Sequence, residues 1–193
     1  MSEGVESKYV YGFDLALGTT GLVIYDLVKK EFVYIGSFNT DKVKKQKNRY
    51  HNALKLKELS EWVLQLKKMY PPYFVGIERG FSQHNNATQT IFRVHGLINF
   101  LFCGHPQEYY PPKMVKETIV NGNATKEDLV NTINTRYNYV FSNEDESDAF
   151  AVVLTVLIKH GLIEWEKPVF AEIKRMRKPK PPNKSKKKKK TEE

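Results

Sequence analysis

The sequence predicts an α/β fold. It is a five-stranded mixed sheet, an antiparallel three-strand meander extended by parallel strands, with helices on both faces. Three observations lead there. Residues 9–38 hold three consecutive β-patterned runs joined by short turns. Two further short apolar runs each follow a helix-patterned segment, as a crossover to a parallel neighbour requires. Charge then divides the chain. From Lys167 onward there are 12 Lys and Arg against 3 acids, whereas residues 1–166 carry 19 of each. Residues 1–166 therefore read as one domain. Residues 167–193, with Pro179, Pro181, Pro182 and the run Lys186 to Lys190, read as a disordered basic tail that cannot build a core. Such a tail binds a polyanion or serves solubility or targeting.

The first hairpin spans Tyr9 to Leu27. Val10, Phe13, Leu15 and Leu17, then Leu22, Val23, Ile24 and Leu27, supply its apolar content. Gly18 and Gly21 bracket Thr19-Thr20 as the expected turn. Lys29-Lys30 turn the chain into a third strand, Glu31 to Phe38. A helix is expected from about Asn48 to Met69, with Leu56, Leu59, Val63, Leu66 and Tyr70 on one face. Pro71-Pro72 stop it. The fourth strand begins at Tyr73, and Glu78 stands at its C-terminal end, where α/β sheets build their sites. A helix from about Ala87 to Phe102 shows Ile91, Val94, Ile98 and Leu101 on one face, widened by Leu97 and Phe102. Cys103 beside it reads as buried packing at a helix end. Glu108-Tyr-Tyr-Pro-Pro makes a short fifth strand, and a short helix covers Pro112 to Val120. Thr125 is a predicted N-cap, with Asp128 in the place of the Glu of a capping box, for a helix to about Tyr137. After an acidic loop, Asn143 to Asp148, the last helix runs from about Ser147 to His160.

No run of 18 apolar residues and no signal-peptide pattern occurs, so a soluble, non-secreted chain is expected. The single Cys103 excludes an internal disulfide and suits a reducing cytoplasm. Lys42, Lys44, Lys45, Lys47, Arg49, Lys55 and Lys57 form a basic cluster, which is either a phosphate contact or a solvated helix face.

The chemistry lies in the acids. Asp14 sits within an apolar strand, where a carboxylate is costly unless something compensates it. It faces solvent on an edge strand, binds a metal, or belongs to a phosphate hairpin of the actin-like ATPase type. That hairpin reads Asp-x-Gly-Thr-Thr-Gly. Here Asp14-Leu-Ala-Leu-Gly18 is two residues longer, and nothing after Leu27 repeats the hairpin. Asp145 and Asp148 are three apart, on one face of a first helical turn. Acids there also suit the helix dipole, which is their structural alternative. If strands one and four are neighbours, Asp14, Glu78, Asp145 and Asp148 form a ring whose charges repel. Hard divalent cations such as Mg²⁺ or Mn²⁺ relieve that repulsion. Two of them about 4 Å apart are a device for in-line phosphodiester hydrolysis.

Four segments then carry a resemblance: Gly12-Phe-Asp-Leu-Ala-Leu-Gly-Thr-Thr-Gly, Val75-Gly-Ile-Glu-Arg-Gly-Phe, the stretch from Tyr110-Pro-Pro-Lys to Ala124-Thr-Lys, and Asp145-Glu-Ser-Asp-Ala-Phe-Ala. In this order and spacing, over about residues 8–160, they resemble the RuvC-type Holliday junction resolvases, within the ribonuclease H-like nucleases. The resemblance implies a Mg²⁺-dependent, structure-selective endonuclease that resolves four-way DNA junctions by paired nicks. Asp14, Glu78, Asp145 and Asp148 would be its metal-binding catalytic acids, holding two Mg²⁺, with Mn²⁺ able to substitute. Lys116 and Lys126 match basic residues near the scissile phosphate, with Lys116 in a catalytic role. Phe81 matches an aromatic that stacks on a junction base, or else is a core Phe. Arg79 and Lys113 join the DNA contacts. A homodimer through the helix 87–102 is implied, with no nucleotide cofactor and no membrane. Glu146 and Phe150 stand where the family carries small residues, and Glu146 is an alternative ligand to Asp145. The tail and the divergence point to a phage-type relative in the cytoplasm of a bacterial cell or an infected host. Two alternatives stand beside this reading. One is the same chemistry on flaps, forks or RNA–DNA hybrids, and the other a non-catalytic binder of branched DNA.

Overall fold

A computed structural model describes residues 8–43, 50–80, 85–169 and 173, with backbone alone for 85–87. Its elements are β1 (Tyr9–Asp14), β2 (Thr19–Asp26), β3 (Glu31–Asn39), a 3-10 turn (Thr40–Lys42), α1 (His51–Met69), β4 (Pro72–Glu78), α2 (Asn85–Leu101), β5 (Gln107–Tyr110), α3 (Pro112–Ile119), α4 (Lys126–Tyr137) and α5 (Glu144–Lys159). The five strands lie in the order β3-β2-β1-β4-β5. β2 is antiparallel to β1 and β3, while β4 is parallel to β1 and β5. The predicted architecture is the observed one, and strands one and four are neighbours. Among the described residues no helix is long and apolar enough to cross a membrane.

The period-two alternation of a strand sorts β1 between two cores. Tyr11 and Phe13 enter a core with Leu59, Val63 and Leu66 of α1 and with Val94 and Ile98 of α2. Val10 enters the opposite core, with Val115 and Ile119 of α3, Leu129 and Ile133 of α4, and the length of α5. In α5 every residue from Ala149 to Leu157 is buried. This helix lies directly on the sheet because glycine lets it. Gly12 and Gly76 are partners across β1 and β4. A Cβ at Gly12 would stand 2.4 Å from Val153 Cγ2, and one at Gly76 2.4 Å from Val156 Cγ2. Two residues further along the same two strands come Asp14 and Glu78, on the same face and therefore toward α5.

Several expectations need correction. The first hairpin does not turn at Gly18-Thr-Thr-Gly21. The connection is residues 15–18, and Thr19 to Gly21 already belong to β2, with Gly21 paired to Asp14. Gly21 serves packing instead of a turn, since a Cβ there would lie 2.0 Å from the carbonyl oxygen of Asp145. Asp14 accordingly ends β1 and is not in mid-strand. The last helix starts at Glu144, three residues early, because Asn143 caps it by accepting from the Glu146 amide at 3.0 Å. Cys103 is exposed, and its neighbour Phe102 takes the buried place. The capping box of Thr125 and Asp128 is present as predicted. In the basic cluster, Lys55 pairs with Asp41 at 2.5 Å and Lys57 with Glu61 at 2.9 Å, while residues 44–49 lie outside the described residues. The segment after α5 packs back on the domain. Ile163 and Trp165 lie against the α3–α5 core, and Ile173 is 2% exposed within it.

Candidate active site

The parallel pairing of β1 with β4 sets Asp14 and Glu78 side by side at the strands' C-terminal ends, and α5 begins above them. Ligand oxygens of Asp14, Glu78 and Asp148 all lie within 4.8 Å of one another. Asp145 sits one turn earlier on α5, half-buried, close enough for its charge to act on Asp14. Burial and then the facing carboxylates push Asp14 up to about 8, and burial with Asp148 pushes Glu78 up to about 7. Burial also raises Asp145. The donor set fits a hard divalent cation: three half-buried carboxylates share one spot, and their mutual repulsion is what a cation would relieve.

The lysines come from the next two helices. Lys126, the first residue of α4, donates to Asp148 Oδ2 at 2.7 Å and to Glu144 Oε2 at 2.9 Å. Burial opposes its charge, but these hydrogen bonds outweigh it and hold the ammonium above its ordinary value. Lys116 of α3 lines a cavity of about 150 Å³ together with Glu78, Lys126 and Asp148. Acids and lysines thus face one small cavity, which can bind a phosphate beside a cation.

The other candidates lie further out. Lys113 is exposed one turn before Lys116. Arg79 is exposed just past β4, in a separate cavity of about 430 Å³ with Phe92, His95 and Tyr109. Phe81 lies outside the described residues. Glu146 is turned away from the acids. Its carboxylate accepts from the Ser142 amide at 3.0 Å and from Ser37 Oγ at 3.3 Å. Phe150 likewise points into the α3–α5 core, stacked on Phe32.

Sequence reading missed the glycines that set this geometry. The available signal was a glycine two residues before each strand acid, Gly12 before Asp14 and Gly76 before Glu78. Gly21 is the most sensitive position, because its neighbour is backbone of the α5 first turn. Gly21→Ala is expected to displace that turn, costing about 1–3 kcal/mol of stability and slowing DNA cleavage at least about tenfold, by 1.4 kcal/mol or more in barrier. Chemical denaturation and single-turnover cleavage check this. Wild-type values in both would show that α5 is not held at Gly21.

The raised carboxylates also give stability a pH dependence. Without metal, the folded state keeps protons on Asp14 and Glu78 that the unfolded chain releases near pH 4. Their contribution is full below that pH and is lost as pH rises through about 7 for Glu78 and about 8 for Asp14. The melting temperature of the EDTA-treated protein should therefore fall from pH 5 to pH 8, with a smaller fall in Asp14→Asn. An equal fall in both proteins would contradict the assignment.

A mixed sheet in this order, with acids ending two adjacent parallel strands and a third on the helix above them, defines a ribonuclease H-like fold. The comparisons with known proteins agree. The family model of the crossover junction endodeoxyribonuclease RuvC matches residues 10–156, and the chain belongs to that family. A crossover junction endodeoxyribonuclease RuvC of Prochlorococcus marinus (strain AS9601) is 24% identical over 161 residues, covering 79% of this chain and 98% of that protein. Among solved structures, Thermus thermophilus RuvC in complex with Holliday junction substrate superposes with a TM-score of 0.66 at 18% identity, over 80% of this chain and 96% of that one. The yeast mitochondrial Holliday junction resolvase gives 0.53 at 13% identity, over 80% and 83%.

Proposed function

We propose that this chain cuts four-way DNA junctions by metal-dependent phosphodiester hydrolysis, with paired nicks made by the two protomers of a homodimer. The observation that carries the reading is the convergence of Asp14, Glu78 and Asp148 within 4.8 Å, beside Lys116 and Lys126 in one cavity. Asp14, Glu78, Asp145 and Asp148 would hold two Mg²⁺, or Mn²⁺ in their place. When bound, such a pair supplies an activated water and stabilises the leaving oxygen. Lys126 neutralises Asp148 and Glu144 in the free enzyme and would turn part of its charge to the scissile phosphate. Lys116, across the cavity, would offset charge that builds in the transition state. Arg79, Phe81 and Lys113 would contact the DNA around the cut. Dimerisation would use α2, whose Phe92 and Phe100 are 66% and 75% exposed, more apolar surface than a lone helix face needs. One cysteine and a polyanionic substrate suit the cytoplasm.

The test is a labelled four-way junction beside a flap, a fork, an RNA–DNA hybrid and linear duplex, each with Mg²⁺ or EDTA. Cleavage of the junction in Mg²⁺ alone is the expected result. Cleavage of the flap or fork but not the junction would keep the chemistry and move the substrate. Binding without cleavage in any metal would overturn the catalytic reading.

A further inference from the structure

We infer that Ser37, on β3, and Glu146, on α5, are a positioning pair that holds the Asp145 and Asp148 carboxylates over the acids of β1 and β4. The inference deepens the proposed function and rests on the reading that these acids hold a metal. It gives Glu146 a role other than that of a ligand.

The pair lies on the same row of the sheet as Asp14. Asp14 pairs with Gly21 across β1 and β2, and Gly21 pairs with Ser37 across β2 and β3. Residues opposite one another in a sheet face the same way. Asp14 and Ser37 therefore both rise toward α5, two strand spacings or about 10 Å apart. The first turn of α5 lies over that gap. Its backbone rests on Gly21, where a Cβ would stand 2.0 Å from the Asp145 carbonyl oxygen. At about 100° per residue, a side chain at 146 leaves the helix roughly 200° around from one at 148. Asp148 thus reaches the ligand cluster while Glu146 points back to β3.

Glu146 is held at both oxygens. Its Oε2 accepts from the Ser142 amide at 3.0 Å, and its Oε1 accepts from Ser37 Oγ at 3.3 Å. Asn143, the N-cap, closes the ring. Its Nδ2 donates to Ser37 Oγ at 2.7 Å, and its Oδ1 accepts from the Glu146 amide at 3.0 Å. Ser37 Oγ thus takes one hydrogen bond and gives one, and both tie α5 to β3. Glu146 is 6% exposed, and a carboxylate so buried is tolerated only with such partners. The tie opposes a specific force. The charges of Asp145 and Asp148 act against that of Asp14, so in the metal-free protein repulsion pushes the first turn of α5 away from the strand acids. Bonds to β3 on the far side of the same turn resist that displacement, and keep the carboxylates spaced for a cation before one binds.

The experiment measures Mn²⁺ affinity of the metal-free protein by calorimetry, and single-turnover junction cleavage against Mg²⁺ concentration. Ser37→Ala removes the tie from β3 and leaves every acid in place. Glu146→Gln keeps an oxygen for the Ser142 amide and an N–H for Ser37 Oγ, but removes the charge a ligand would need. Ser37→Ala should weaken Mn²⁺ binding at least about tenfold, as losing a group that orients metal ligands does. The Mg²⁺ needed for half-maximal cleavage should rise by a like factor. At saturating Mg²⁺ its cleavage should return to within about threefold of wild type, since only metal binding has been weakened. Glu146→Gln should stay near wild type in both measurements. Wild-type Mn²⁺ affinity in Ser37→Ala would overturn the inference. A larger loss in Glu146→Gln than in Ser37→Ala would also overturn it, by making Glu146 a ligand. A cleavage defect that excess Mg²⁺ leaves in place would reduce the pair to a role in general stability. If the wild type binds Mn²⁺ and cuts the junction while Ser37→Ala matches it, only the positioning role fails. If the wild type binds no Mn²⁺, the metal-site reading itself fails.

Discussion

Asp14→Asn should cut a four-way junction at least about a thousandfold more slowly than the wild type in saturating Mg²⁺. The estimate follows from the several kcal/mol of transition-state stabilisation that a correctly held metal supplies, at 1.36 kcal/mol per factor of ten. Asn keeps the size of Asp and removes its charge. The fold should therefore survive, and junction affinity should hold, because one repulsive carboxylate facing the phosphate has gone. Burial and then the charges of Glu78, Asp148 and Asp145 hold the Asp14 carboxyl high in the wild type, so removing that carboxyl should also raise the stability of the metal-free variant near pH 8. Single-turnover cleavage and binding in EDTA separate these effects. A loss of less than about tenfold would mean that Asp14 is not a ligand of the working enzyme. Equal losses in binding and cleavage would mean that the change had damaged the surface instead.

Phe150→Ala should have the largest effect on stability, about 3–5 kcal/mol, as expected for truncating a fully buried aromatic. Phe150 is 1% exposed. Its ring stacks on Phe32 with centroids 4.1 Å apart and meets Tyr137 and Phe141 at 5.3 Å each. These partners join β3, α4 and the loop before α5 to the helix that carries Asp148. Urea denaturation measures the cost, and a change below about 1.5 kcal/mol would show that the cluster repacks around the gap. Cleavage by the variant, at a temperature where it stays folded, should fall less than in Asp14→Asn. Phe150 is not among the residues that line the cavity.

Much of this was legible in the sequence, for reasons that differ by element. The sheet was readable because β1 to β3 follow one another with short turns, so local patterning fixes their pairing. β4 and β5 each follow a helix, which leaves parallel pairing as the natural outcome. Asp14 and Glu78 stood out as acids in strands whose neighbours are buried on both faces. What stayed hidden depended on contacts distant in sequence. Gly18-Thr-Thr-Gly21 has the composition of a turn, yet Gly21 is in β2 because α5 presses its first turn against it from 124 residues away. The sequence pattern alone sets the start of α5 late, because Asn143 and the three acids after it have the composition of a loop and only the Asn143 cap makes them a first helical turn. Glu146 looked like a spare ligand because sequence spacing does not reveal that Ser37 on β3 claims its carboxylate. Cys103 looked buried because an apolar run leads into it, but the chain turns at that point and leaves it outside.

The most direct test of the central claim is to map the nicks on a four-way junction labelled on each strand in turn, with wild-type and Asp14→Asn protein in Mg²⁺ and in EDTA. One nick is expected in each of two opposing strands, made only by the wild type and only with Mg²⁺. Nicks that survive in Asp14→Asn, or a single unpaired nick that proceeds in EDTA, would contradict the claim.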